Sequence, residues 1–206
     1  LKSLEFPLWK NFYRENPLET FEPDSDDMQG WTSHSRSFEL AIKEAKPKFI
    51  IEVGSWKGAS AVHMAGLAQE AHILCIDTWL GSPEMVSLNN NLYDHFRRLH
   101  GWPQLYFTFI SNVIRHVGRE RICPLPMPST VAAPLLRKMG VQADMIYIDG
   151  SHEYLDVARD VDDYWPLLRK GGVMLLDDYG FPGVKKAIDE RLKVDAVAEK
   201  AIARKP

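Results

Sequence analysis

Five short apolar runs, most of them followed by a turn and a helix, constrain this chain more than any other feature of its sequence. The runs are Phe49-Ile50-Ile51-Glu52-Val53, His72-Ile73-Leu74-Cys75-Ile76-Asp77, Arg121-Ile122-Cys123-Pro124-Leu125, Asp144-Met145-Ile146-Tyr147-Ile148-Asp149 and Val173-Met174-Leu175-Leu176. None alternates with polar residues, so each reads as a strand buried on both faces. Between the first two, residues 60–71 place Val62, Met64, Ala65, Leu67 and Ala68 on a helix that is apolar over much of its surface. Residues 49–77 therefore spell strand, glycine turn, helix, strand, the βαβ unit of a parallel sheet.

The same alternation runs on. Phe38, Ala41, Ile42 and Ala45 recur at helical spacing, and Pro47 ends that helix. Residues 131–139 read as a helix. Val157, Val161, Tyr164, Trp165 and Leu168 mark another, which Gly171-Gly172 stops, and a last one starts at Val184. The fold class that follows is α/β: a doubly wound, mainly parallel, Rossmann-like sheet with helices on both faces. At 206 residues, one such domain buries a sizeable core without disulfides or structural metal. Residues 1–34 form an N-terminal arm or lid, rich in aromatics and broken by Pro7, Pro17 and Pro23, with an acidic cluster at Asp24, Asp26 and Asp27. A docked surface arm, a lid and an oligomer contact all suit it; its apolar Leu4, Phe6, Leu8, Trp9 and Phe12 point to a homodimer. The domain proper is 35–206. It carries an insertion at about 79–118, rich in aromatics and in Asn89, Asn90 and Asn91, with one or two helices.

A net charge of −3 lacks the basic footprint of a nucleic-acid binder. Cys75 and Cys123 both fall in apparent core strands, which is no disulfide framework and suits a reducing, cytoplasmic compartment. No run approaches ~18 apolar residues, so no membrane span is expected. Glu5, Lys10 and Arg14 interrupt any signal-like segment at the start.

In a doubly wound sheet, ligands sit beyond the carboxyl ends of the strands. Here those ends are Glu52-Val53-Gly54, Asp77, residues 126–129, Asp149 and Asp177-Asp178, and almost every one carries an acid. Gly54 and Gly58 let the first loop turn sharply and approach a ligand, and Ser60 can cap the helix after it. A tight turn without a ligand is the alternative. The spacing is G-x-x-x-G, not the dinucleotide G-x-G-x-x-G. Asp77 lies about twenty residues on, where a carboxylate can accept two hydrogen bonds from a ribose diol. If the fourth and fifth runs are neighbours, ~4.8 Å apart, Asp149, Asp177 and Asp178 meet at one edge. Three carboxylates there repel one another unless a hard cation such as Mg²⁺, Ca²⁺ or Mn²⁺ joins them, or unless Asp178 turns to solvent.

The E-x-G-x-x-x-G loop at residues 52–58 resembles the first motif of class I S-adenosylmethionine-dependent methyltransferases. Asp149, Asp177 and Asp178 resemble the metal-ligand positions of catechol O-methyltransferase-like enzymes and, more closely, of macrolide- and antibiotic-sugar O-methyltransferases. The resemblance runs from Met28-Gln29-Gly30-Trp31 to Lys186. It implies the class I methyltransferase fold and S-adenosylmethionine as cofactor, with contacts at Glu52, Gly54, Ser55, Gly58, Ser60, Asp77, Thr78, Ser129 and Asp149. Met127-Pro128-Ser129 would meet the adenine. It implies a divalent cation, Mg²⁺ first, on Asp149, Asp177 and Asp178, and catalytic roles for Asp149 and His152, with His152 as general base. The implied acceptor is a hydroxyl of a small molecule.

Two departures stand out. The catechol enzymes follow the metal aspartate with His-Trp and use a nearby lysine, both missing at that place. Residues 193–206 are also short for the closing antiparallel strand pair of that fold, which puts the sheet's last edge in question. A nicotinamide-dependent oxidoreductase, or a non-catalytic or hydroxylase-associated member of the same fold, is the competing reading. Lys57 could pair with the cofactor carboxylate or stay solvated. His63 reads as packed or surface, His95, His100 and His116 fall in the insertion, and its aromatics read either as core or as an acceptor pocket.

Overall fold

In the computed structural model, residues 4–30, 34–82 and 91–206 are described. Trp31, Asn89 and Asn90 lie outside them, and so does part of the predicted insertion.

Six α-helices are described: α1 Arg36–Ala45, α2 Ala59–Leu67, α3 Gln104–His116, α4 Ser129–Lys138, α5 Tyr154–Tyr164 and α6 Pro182–Asp189. The strands are β1 Phe49–Val53, β2 His72–Asp77, β3 Arg98–Leu99, β4 Trp102–Pro103, β5 Ile122–Pro126, β6 Ala143–Ile148, β7 Leu168–Leu176, β8 Val194–Val197 and β9 Lys200–Arg204. The main sheet has the order β5-β2-β1-β6-β7-β9-β8. From β5 to β7 every pairing is parallel, and β9 and β8 close the edge antiparallel. All five expected strands are present in the expected parallel arrangement, and the strands of the fourth and fifth runs, β6 and β7, are neighbours.

Both faces are buried because side chains alternate along each strand. On one face Ile51, Leu74, Ile146 and Met174 pack against Leu136 of α4, Val161 of α5 and Ile188 of α6. On the other, Ile50, Ile73, Met145 and Leu175 pack against Phe38 of α1, Met64 of α2 and Phe109 of α3. Cys75 and Cys123 are buried, and neither forms a disulfide. Among the described residues no helix is long and apolar enough to cross a membrane.

Besides α2, which ends at Leu67 rather than at residue 71 and whose N-cap is Gly58 rather than Ser60, the structure corrects the sequence reading at two places. The helix expected to end at Gly171-Gly172 ends at Tyr164, passes through a 3-10 turn at Trp165–Leu167, and gives way to β7. Pro166 removes an N–H from the helical ladder there, which favours the break. The glycines lie inside the strand, and a Cβ at Gly172 would come within 2.9 Å of the Asp144 carbonyl oxygen of β6. The second correction is the closing strand pair, which does form over 194–204. Its turn is the two-residue link Ala198-Glu199, with Ala198 at a φ of 55°. Such hairpins ordinarily announce themselves with Asn-Gly or Asp-Gly, so this one carries no turn signal in the sequence.

The described part of the arm lies against the domain. Leu8, in a 3-10 turn at Leu8–Asn11, is 1% exposed within the first core, and Leu4, Trp9 and Phe12 pack against that core. The Tyr13 hydroxyl donates to the Pro124 carbonyl at 2.7 Å. Further on, Asp24 accepts from Ser111 of α3, and Asp26 pairs with His116 at its end.

Replacing Leu8 tests whether the arm is part of the core. Leu8→Ala is expected to destabilise the protein by about 2–4 kcal/mol, the cost of truncating a buried leucine, as measured by urea unfolding. A loss below about 0.5 kcal/mol, the range of surface substitutions, would show the arm to be energetically separate.

Candidate functional site

The site is assembled where the parallel strands end together. Gly54, directly after β1, has a φ of +85°, and a Cβ there would lie 1.9 Å from the Asp149 carbonyl oxygen beyond β6. Only glycine permits that approach. Gly58 also has a positive φ of +86°, but a Cβ on it would press against the Phe109 ring at 3.0 Å. Gly58 therefore seats α2 on α3.

Two carboxylates hold the loop from opposite sides. Glu52 is fully buried; its Oε2 accepts from Ser55 Oγ at 2.6 Å and its Oε1 from Ser60 Oγ at 2.5 Å. Burial pushes its carboxyl above the usual range, and the two hydroxyls oppose that. Asp77 Oδ2 accepts the backbone N–H groups of Ser55 and Trp56 at 2.9 Å each, and its Oδ1 accepts that of Trp79 at 2.7 Å. Asp77 braces the loop and also lines the cavity, where its carboxylate faces a ligand. Lys57 is not the solvated lysine that was one of its two expected courses. It is 1% exposed, and its Nζ donates to Asp27 Oδ2 at 2.5 Å and Gln29 Oε1 at 2.7 Å. Asn112 of α3 donates to the Asp27 and Lys57 carbonyls. The end of the arm is thereby fastened to the glycine loop.

A cavity of about 520 Å³ opens at this rim, within the size range of small-molecule sites. Gly54, Ser55, Ser60, Asp77, Thr78, Ser129 and Asp149 all line it, while Glu52 and Gly58 stand behind its wall. Gln29 and Gly30 add a wall from the arm, and Met127-Pro128 one from the loop after β5. His152, Asp177, Asp178 and Phe181 line it beside Asp149. The other histidines that the sequence reading weighed are elsewhere. His63 Nδ1 lies 3.0 Å from His34 Nδ1, His95 meets the Trp56 ring, His100 meets Phe107, and His116 is bound to Asp26. Of the insertion aromatics, Trp79 and Phe109 are buried in the second core, their rings 4.8 Å apart.

The acidic rim is tied together by groups the sequence reading gave no role. Ile148 pairs with Leu176, which sets Asp149 beside Asp177. Between them the Tyr147 hydroxyl lies 2.8 Å from Asp149 Oδ2 and also contacts Asp177 Oδ2. Asp177 Oδ2 accepts as well from the ammonium of Lys200, which is fully buried. Asp177 Oδ1 accepts the Asp178 N–H at 2.8 Å. Burial, and then the negative charge of Asp177, push the Asp149 carboxyl well above the usual range. A phenol carries one proton; a protonated Asp149 donating to Tyr147, and Tyr147 donating to Asp177, satisfies all three groups. Asp178 turns the other way: its Oδ2 lies 2.8 Å from His152 Nε2, and the His152 ring stacks on Phe181 at 5.0 Å.

This donor set does not fit a divalent cation. Three donors already engage Asp177, and one of them is a buried ammonium whose charge opposes a cation on the same carboxylate. Among the described residues no three His, Cys, Asp or Glu side chains are grouped to hold a metal ion. The set does fit an adenosyl ligand: the Asp77 carboxylate faces the cavity, Gly54 leaves its wall bare, and the cavity is large enough. Sequence reasoning also passed over Asp160 of α5, which is 5% exposed and lines the cavity. Burial raises its pKa to about 6, against a hydrogen bond from Ser129.

Residues 51–179 match a family described as methyltransferase domain. The chain is 23% identical, over 86% of its length and 78% of the relative's, to 8-demethyl-8-(2,3-dimethoxy-alpha-L-rhamnosyl)-tetracenomycin-C 4'-O-methyltransferase of Streptomyces olivaceus. Its fold is similar to that of CalS11, a TDP-rhamnose 3'-O-methyltransferase of calicheamicin biosynthesis (TM-score 0.56, 18% identity, 82% of this chain and 77% of that one). It is similar also to the S-adenosylhomocysteine-bound methyltransferase PaMTH1 of Podospora anserina (TM-score 0.55, 18% identity, 82% and 76%).

Asp160 yields a pH prediction. A carboxyl whose pKa is raised on folding binds its proton more tightly in the folded state, so its contribution to stability falls as pH rises from about 4 to about 6. Asp160→Asn removes that loss. Relative to wild type, the variant is expected to gain about 1–3 kcal/mol between pH 4 and pH 7, read from urea unfolding at both pH values. Parallel pH profiles for the two proteins would refute it.

Proposed function

Because the chain belongs to the methyltransferase-domain family, and with it to the S-adenosylmethionine-dependent methyltransferases, we propose that it is an O-methyltransferase acting on a hydroxyl of a small molecule, with His152 as proton acceptor. The observation that carries the reading is the His152–Asp178 pair at 2.8 Å in the wall of the cavity that the glycine loop and Asp77 also line. In this reading Gly54 and Ser55 receive the amino-acid part of the donor, Asp77 a ribose hydroxyl, and Met127-Pro128-Ser129 the adenine. Bound there, the donor supplies a methyl group on a sulfonium that needs alignment rather than activation.

The protein's part is to align an oxygen with that methyl and to take its proton. Alignment alone can contribute several kcal/mol. An alcohol is a poor nucleophile at neutral pH, so a base within reach matters. A neutral His152 that donates Nε2–H to Asp178 carries its lone pair on Nδ1, and there the proton goes. Asp178 is a positioning residue: it holds the tautomer and favours the imidazolium that forms. Phe181, stacked on His152 and half exposed, fixes the ring plane and offers an apolar surface to the acceptor. The names of two similar proteins, both O-methyltransferases of rhamnose-bearing or nucleotide-rhamnose compounds, support a sugar hydroxyl as the acceptor class. Metal assistance, the other half of the sequence expectation, gets no step, since the acidic rim does not suit a cation.

His152→Ala is expected to lower turnover by about 10²–10⁴-fold, the usual worth of a general base, with TDP-rhamnose as the acceptor probe. Affinity for S-adenosylhomocysteine, measured by calorimetry, should stay within about twofold. Comparable losses in both would make His152 a structural residue and refute its role.

A further inference from the structure

We propose that the Lys200 ammonium stands where a divalent cation would otherwise balance the acidic rim, so that this chain transfers its methyl group without a metal. The inference rests on reading that rim as the reaction centre. The placement of Lys200 follows from sheet register. Leu176 of β7 pairs with Ala201 of β9, so Asp177 falls opposite Lys200. Directly opposed residues of an antiparallel pair share a face. Beyond them the Tyr179 N–H donates to the Glu199 carbonyl at 2.8 Å, which holds the strand end in place.

The ammonium is built into the fold. Lys200 is fully buried and Asp177 nearly so. Its Nζ lies 5.2 Å from the Phe38 ring centre and 5.6 Å from that of Tyr147, so two aromatic rings flank it on the core side. A buried lysine of this kind depends on its carboxylate, because an unpaired charge in the interior is strongly unfavourable. Asp177 in turn carries both the Lys200 contact and the Tyr147 hydroxyl that reaches Asp149. A cation bound to Asp177 at about 2.1 Å would share one carboxylate with the ammonium, directly on Oδ2 or one atom away on Oδ1. Like charges so close disfavour each other. The ammonium also lies on the core side of Asp177 and so cannot chelate an acceptor. Two adjacent hydroxyls on the substrate are therefore not required, and a single hydroxyl suffices.

The test uses the whole protein, treated with EDTA, dialysed, and saturated with S-adenosylhomocysteine, whose binding is measured first. Mn²⁺ is then titrated in and followed by electron paramagnetic resonance and by melting temperature. The wild type is expected to show no saturable Mn²⁺ binding and no melting shift, and its methyl transfer to TDP-rhamnose should not respond to EDTA. Lys200→Met, which keeps the bulk and removes the charge, should gain Mn²⁺ affinity by at least about tenfold, and Lys200→Met with Asp178→Asn should lose that gain. Stoichiometric Mn²⁺ binding by the wild type that Asp178→Asn abolishes would overturn the proposal. So would loss of transfer in EDTA restored by Mg²⁺, or a folded Lys200→Met that binds no Mn²⁺. Should Lys200→Met fail to fold, the wild-type titration decides alone. Failure to bind S-adenosylhomocysteine would count against the donor reading, whereas Mn²⁺ binding by the wild type would count against this inference only.

Discussion

The backbone contact between Gly54 and Asp149 is the constraint on which the site depends. It exists because β1 and β6 run parallel and in register, so that the Asp149 N–H donates to the Val53 carbonyl at 2.8 Å and the Asp177 N–H to that of Ile148 at 2.9 Å. One alignment therefore delivers the glycine loop, the acidic rim and the start of α5 to a single edge. Any side chain at Gly54 would push β1 away from the loop after β6, and the cavity would lose its wall.

Around that edge the protein balances charge internally. Serine hydroxyls answer Glu52, backbone N–H groups answer Asp77, a tyrosine and a lysine answer Asp177, and a histidine answers Asp178. Each of these four acids thus meets a donor, as charge held away from water requires. The arm joins the same scheme through Asp27 and Lys57. Gln29 and Gly30 of the arm are in this way held as a wall of the cavity.

Much of this was legible in the sequence, and the reason is that buried parallel strands are written as unbroken apolar runs. Those runs located the strand ends, and the strand ends located Gly54, Asp77, Asp149 and Asp177-Asp178. What stayed hidden was of two kinds. The hairpin over 194–204 turns at Ala198-Glu199, which lacks the usual glycine, and Gly171-Gly172 looked like a helix stop although it serves close strand packing. The partners of buried charges were the other kind. Lys57 finds Asp27 some thirty residues away, and Lys200 meets Asp177 only through the register of the strand pair that the sequence left in question. No local pattern encodes such pairs; they depend on which strands become neighbours.

The account's central claim, that the carboxyl rim receives an adenosyl donor, is tested most directly by calorimetric titration of the purified chain, and of its Asp77→Ala variant, with S-adenosylhomocysteine and with NAD⁺. The account predicts one S-adenosylhomocysteine per chain and no measurable heat with NAD⁺. It further predicts an affinity at least about tenfold weaker in an Asp77→Ala variant that remains folded. No heat with S-adenosylhomocysteine, or tighter binding of NAD⁺, would contradict it.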